Sequence, residues 1–165
     1  MGWDEILEGD INQSATIHCW RGMQNGIEAA QKGHDVIMSP TTYCYLDYYQ
    51  ADPKKSDEPQ AIGGFLPLEN VYKMVAIPDD ISPENRQHIL GVQANLWTEY
   101  IPTNNQAEYM VLPRMAAIAE EAWCEHKGTF EEFMPRMTRL TNLYDIYNLH
   151  YAKHCWPEKK IKKEW

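Results

Sequence analysis

Short runs of β-branched and aromatic residues alternate along this chain with longer segments of helical periodicity. Ala15–Trp20 (ATIHCW), Asp35–Ser39 (DVIMS, closed by Pro40) and Leu90–Leu96 (LGVQANL) read as strands, and Met1-Gly2-Trp3 reads as the tail of another. Asp4–Leu7 predicts a short helix stopped at Gly9-Asp10, and Gly26–Lys32 (GIEAAQK) a helix stopped by Gly33. Residues 41 to 82, punctuated by prolines and the Gly63-Gly64 pair, read as a long, partly structured loop. Short helices are expected near Leu68–Met74 and Pro83–Ile89. Gln106–Trp123 predicts a strong helix. A second runs from Phe130 to about Tyr151, with Phe133, Met137, Leu140, Leu143, Tyr144 and Tyr147 at helical spacing. Pro135 falls in its first two turns and predicts a kink or a late start there.

Strand, helix, strand, loop, strand, helix describes an α/β fold with a parallel sheet. No dinucleotide or phosphate-loop glycine pattern follows any of the strands. A complete (β/α)8 barrel takes roughly 200 residues or more. Four strands in 165 residues therefore amount to half of one. The expected organisation is half of a barrel over residues 1–128, a helix after the barrel over 129–156 and a basic tail over 157–165.

Composition narrows the function. A net charge of −9 argues against nucleic acid, because little here would neutralise phosphates. The basic run Lys159-Lys160-Ile161-Lys162-Lys163 reads as a solvated tail. No apolar run is long enough to span a membrane. Cys19, Cys44, Cys124 and Cys155 form no C-x-x-C pair, and three of them sit in apolar company, which predicts free thiols. His18 reads as a buried histidine and His34 as a surface one. His150 and His154 are four apart on the last predicted helix but have no third ligand at matching spacing, so no metal is expected.

Chemistry gathers where strands end. The predicted strands run out at Trp3, at Trp20-Arg21-Gly22, at Tyr45-Leu46-Asp47 and at Trp97-Thr98-Glu99. Barrel enzymes build their sites at these C-terminal ends. Several indoles with a Tyr-x-Asp and a Trp-x-Glu describe an aromatic-walled pocket with a few acceptors. A sugar fits it: apolar ring faces stack on indoles, and carboxylates take hydroxyl hydrogen bonds.

GWDEILEG, the WRG after a strand, GHDVIMSP-x-x-x-x-YLDYYQ, GVQANLWTEY and EYMVLPRMAAIAEEAW resemble family 20 β-N-acetylhexosaminidases over about residues 1 to 150. The resemblance implies the C-terminal half, about strands five to eight, of a (β/α)8 TIM barrel plus a C-terminal helix. It further implies hydrolysis of terminal β-linked N-acetylglucosamine or N-acetylgalactosamine by a retaining, substrate-assisted route without cofactor. Trp3 and Trp20 would wall the pocket for the acetamido group, and Trp97 would lie under the sugar. Tyr45 would give its hydroxyl to the acetamido oxygen, with Asp47 and Glu99 taking sugar hydroxyls. The family's general acid is the Glu of an Asp-Glu pair after His-x-Gly-Gly, and nothing in this chain matches it. Asp4-Glu5 belongs to the Trp3 motif, and Arg21 reads as a structural residue of the WRG turn.

The chain alone is therefore expected to be nearly inactive, its partner being the missing N-terminal barrel half or, failing that, a second copy. Relatives of this kind imply a secreted, periplasmic or cell-surface parent. The rival reading is a non-catalytic half-barrel that binds sugar or only assembles.

Overall fold

A computed structural model describes residues 1–156, 158 and 159. Four parallel strands, β1 (Gly2–Trp3), β2 (Ile17–Cys19), β3 (Val36–Met38) and β4 (Ile89–Val92), lie side by side in chain order. Each pair is joined by a crossover, as parallel strands require. The register places Trp3 beside His18, and Cys19 beside Met38. Between β3 and β4, Val36 faces Ile89 but Ile37 faces Gly91, so Leu90 is an extra residue that bulges out to 58% exposure.

Helix α1 (Met23–Gln31) begins three residues earlier than the apolar pattern predicts. It lays Ile27, Ala29 and Ala30 on the sheet. Gly26 makes that approach possible, since a Cβ there would stand 2.5 Å from the Met38 sulfur. The long connection after β3 holds three short helices: α2 (Thr41–Cys44), α3 (Leu68–Tyr72) and α4 (Pro83–Arg86). It is no surface loop throughout, because Leu66, Leu68, Val71, Met74 and Ile81 join the main core.

The long helix predicted over 106–123 is two helices, α5 (Asn104–Val111) and α6 (Arg114–Trp123). Pro113 has no N–H for helical bonding and biases the residue before it towards extended backbone. Leu112 accordingly sits at ψ 132°. Helix α7 (Phe130–Ile146) starts on a capping box, Thr129 with Glu132, and runs through Pro135 without ending. It stops at Ile146, earlier than predicted, and Asn148 takes a positive φ of 57° just beyond. Phe133 and Met137 of α7 pack into the core, with the Tyr72 ring stacked on Phe133 at 4.4 Å.

Several smaller expectations need correcting. His34 is buried, its Nδ1 lying 3.3 Å from the Ala15 carbonyl oxygen. His150 and His154 lie past the end of α7, so the helical spacing that suggested a zinc pair does not exist. Lys159 is not solvated tail, since it pairs with Asp145 at 2.7 Å. Residues 157 and 160–165 lie outside the described residues. All four cysteines are free thiols, with Cys19 and Cys44 buried and Cys124 exposed. Among the described residues no helix is long and apolar enough to cross a membrane.

Candidate active site

The C-terminal ends of the strands bring Trp3, Trp20, Tyr45 and Trp97 around one open pocket of about 230 Å3, with Glu5 on its rim. Trp3, at the end of β1, stacks on His18 of β2 with ring centroids 4.1 Å apart and planes 13° from parallel. Its indole lies 6.0 Å from that of Trp97. Trp20, one residue past β2, faces Tyr45 at 6.4 Å. A larger groove of about 490 Å3 lies between α6 and α7, but it is apolar and away from the strand ends.

Each wall is held from behind. Tyr45 sits beyond α2 and forms a parallel bridge with Asn95, whose amide binds the Cys44 carbonyl at 2.8 Å. The Asn95 side chain donates to Ser39 Oγ at 2.6 Å and accepts from Gln93 at 2.8 Å, tying the ends of β3 and β4 together. Below the loop lies Arg114, fully buried. Its guanidinium donates to the carbonyl oxygens of Leu46, Tyr48, Leu66 and Met110. Burial opposes its charge and pulls its pKa down to about 9, which leaves it protonated at neutral pH. Arg114 thus pins the backbone on both sides of Asp47.

Asp4 plays the matching part under Trp3. It is fully buried and accepts from the Arg21 backbone N–H at 3.3 Å, from Arg21 Nε at 3.1 Å and from Asn25 at 3.0 Å. Arg21 also reaches Glu8 at 2.6 Å. The turn after β2 is clamped to the 3-10 helix (Asp4–Glu8) after β1, so Asp4 is committed to structure.

The two remaining predicted site residues do not line the pocket. Asp47 is buried at 3% exposure, and its Oδ1 has no hydrogen-bond partner among the described residues. Desolvation pushes its carboxyl above the usual value and Glu99 adds to this, while its own backbone N–H and Arg114 oppose it. Glu99 itself is exposed. Burial likewise raises the Tyr45 hydroxyl, against a hydrogen bond with the Trp97 side chain, so Tyr45 stays a proton donor through neutral pH. His18 is held neutral by burial, and its Nε2 has no partner among the described residues.

Asp47 carries a pH signature. Its folded pKa lies above its unfolded one, so the folded state binds more protons between the two values. Stability from this group is present at low pH and is lost as pH rises through that window. Asp47→Asn removes the effect. The variant should gain melting temperature over the parent at pH 7 and lose that advantage near pH 3. Parallel shifts at both pH values would contradict it.

Sequence reasoning missed Arg114 and Glu5. Arg114 stands inside the VLPRM motif, but its acceptors lie up to 68 residues away. Glu5 was visible only as half of an acidic pair.

Parallel strands joined by helices, with aromatic residues gathered at their C-terminal ends, define an α/β domain of the kind found in barrel folds. The model of the glycosyl hydrolase family 20 catalytic domain matches residues 1–126, and the chain belongs to that family. A β-hexosaminidase of Porphyromonas gingivalis is 43% identical over 153 residues, covering 92% of this chain and 19% of the relative. One from Vibrio furnissii is 32% identical, covering 72% of this chain and 20% of its own length. The family 20 exo-β-N-acetylglucosaminidase of Vibrio harveyi, solved with N-acetylglucosamine, superposes with a TM-score of 0.79 at 29% identity, over 92% of this chain and 24% of that one. The Streptomyces plicatus N-acetyl-β-hexosaminidase shares the fold, with a TM-score of 0.80 at 21% identity over 98% of this chain and 33% of that one. The chain thus spans about a fifth of the length of the first two relatives.

Proposed function

We propose that this chain forms the sugar-holding half, strands five to eight, of a β-N-acetylhexosaminidase barrel acting on glycans that end in β-linked N-acetylglucosamine or N-acetylgalactosamine. The observation that carries this is the pocket of Trp3, Trp20, Tyr45 and Trp97 at the strand ends of a family 20 domain. Trp3 and Trp20 wall in the acetamido group, and Trp97 lies under the apolar face of the sugar. Tyr45, buried and protonated, donates to the acetamido oxygen as that oxygen attacks the anomeric carbon. Holding this group still preserves the large effective molarity of an internal nucleophile. Asp47, with a buried acceptor to spare, and Glu99 stand outside this pocket and take hydroxyls of the part of the sugar that extends beyond it.

The general acid comes from outside this chain. Asp4 is spent on Arg21 and Asn25, which supports setting the Asp4-Glu5 pair aside as the acid and its neighbour. The N-terminal barrel half, contributing the acid, would cover the β1 and β4 edges, since edge strands left open invite association.

A chromogenic N-acetylglucosaminide assay tests this. The 165-residue chain should bind N-acetylglucosamine yet turn the substrate over at no more than a trace of a complete relative's rate. Adding the upstream barrel half should restore turnover. Full activity of the chain alone would overturn the division of labour, and binding with no turnover after the halves are joined would favour a non-catalytic sugar binder.

A further inference from the structure

Trp20 is a large flat wall standing on an open pocket. Its backbone is fixed, because its carbonyl accepts from Thr41 N–H at 3.0 Å and the next residue is clamped to Asp4. Its side chain is less constrained: the residue is only half-buried, and the Tyr45 ring lies 6.4 Å away on one side. Rotation about the side-chain torsions would carry the indole off the pocket or across it. What fixes it is a polar contact. The indole N–H donates to Glu5 Oε1 at 2.9 Å, and Glu5 lines the same pocket.

Glu5 is well placed for this. It sits on the 3-10 helix beside Asp4, and Asp4 is buried under Arg21 and Asn25. The acceptor therefore stands on a rigid base, while its carboxylate is exposed and takes no part in the core. An indole N–H has one direction, so a fixed acceptor selects one orientation of the ring.

We infer that Glu5 is a positioning residue, whose carboxylate sets the Trp20 indole in the orientation that walls the pocket. The consequence for N-acetylglucosamine rests on the sugar-holding reading above; the brace itself does not. Glu5→Ala frees the indole. Glu5→Gln keeps an oxygen acceptor of the same reach and so keeps the wall.

The test is run on the full chain by NMR of the indole N–H groups, with Trp20→Phe identifying the Trp20 signal, and by titration with N-acetylglucosamine. In Glu5→Ala the Trp20 signal should move towards that of a water-exposed indole, and in Glu5→Gln it should stay near the parent position. Affinity for N-acetylglucosamine should fall about fivefold in Glu5→Ala, the loss of one hydrogen bond, and return in Glu5→Gln. On a Trp20→Phe background Glu5→Ala should change affinity no further, since the two residues act as one unit. An unchanged Trp20 signal in Glu5→Ala overturns the inference. So does an affinity loss that persists without the indole, which would make Glu5 a direct sugar ligand. A parent chain that fails to bind N-acetylglucosamine while its Trp20 signal responds as described removes the sugar reading and supports the brace.

Discussion

Arg114→Met is expected to destabilise the chain by about 3–5 kcal/mol, since three buried carbonyl oxygens lose their donor at about 1–3 kcal/mol each. The side chain is 0% exposed, and methionine fills much of its volume, so cavity formation is the smaller part of the loss. The larger part is polar. The carbonyl oxygens of Leu46, Tyr48 and Leu66 all accept from this one guanidinium, and each would be left in a dry interior. Arg114→Lys should recover only part of the loss, because a single ammonium cannot span acceptors spread over the fork of a guanidinium. Urea unfolding followed by far-UV circular dichroism measures both. A loss below about 1 kcal/mol for Arg114→Met, the ordinary level for a point substitution, would show that the carbonyls find other donors or water.

How much of this was legible in the sequence depended on the range of the interaction. Val36–Met38 and Ile17–Cys19 are strands because short apolar, β-branched runs fit a sheet covered on both faces, and that signal is local. Trp3, Trp20, Tyr45 and Trp97 could be placed together because strand ends converge in a parallel sheet, so local patterning carried a spatial conclusion. The division of the last domain helix at Pro113 was lost among its many alanines and glutamates, although one proline outweighs their summed preference. Arg114 was illegible for a different reason. Nothing near an arginine announces that three of its acceptors lie 48 to 68 residues away, in a loop whose path the sequence does not give. Glu5 fails the same way, since its partner is 15 residues distant and is reached only once β1 and β2 are paired. His34 was expected in water because it follows a glycine turn, yet the crossover into β3 buries it against Ala15.

In the complete barrel, Tyr45→Phe is expected to lower kcat by roughly 10²-fold, the cost of a misplaced internal nucleophile, with a much smaller change in KM. The asymmetry follows from positioning. The acetamido oxygen can be bound in many orientations, but it attacks the anomeric carbon from only one, and the Tyr45 hydroxyl holds it there until the new bond forms. Tyr45 is 8% exposed, so its hydrogen bond acts at low local dielectric, and the bridge to Asn95 fixes its position before the sugar arrives. Phenylalanine keeps the ring that faces Trp20 and removes only the donor. Because burial raises the Tyr45 pKa, loss of rate from tyrosine ionisation should begin at a higher pH than for an ordinary tyrosine. A matched rise in KM with kcat unchanged would mean that the hydroxyl serves binding alone, and the substrate-assisted role given to Tyr45 would then fail.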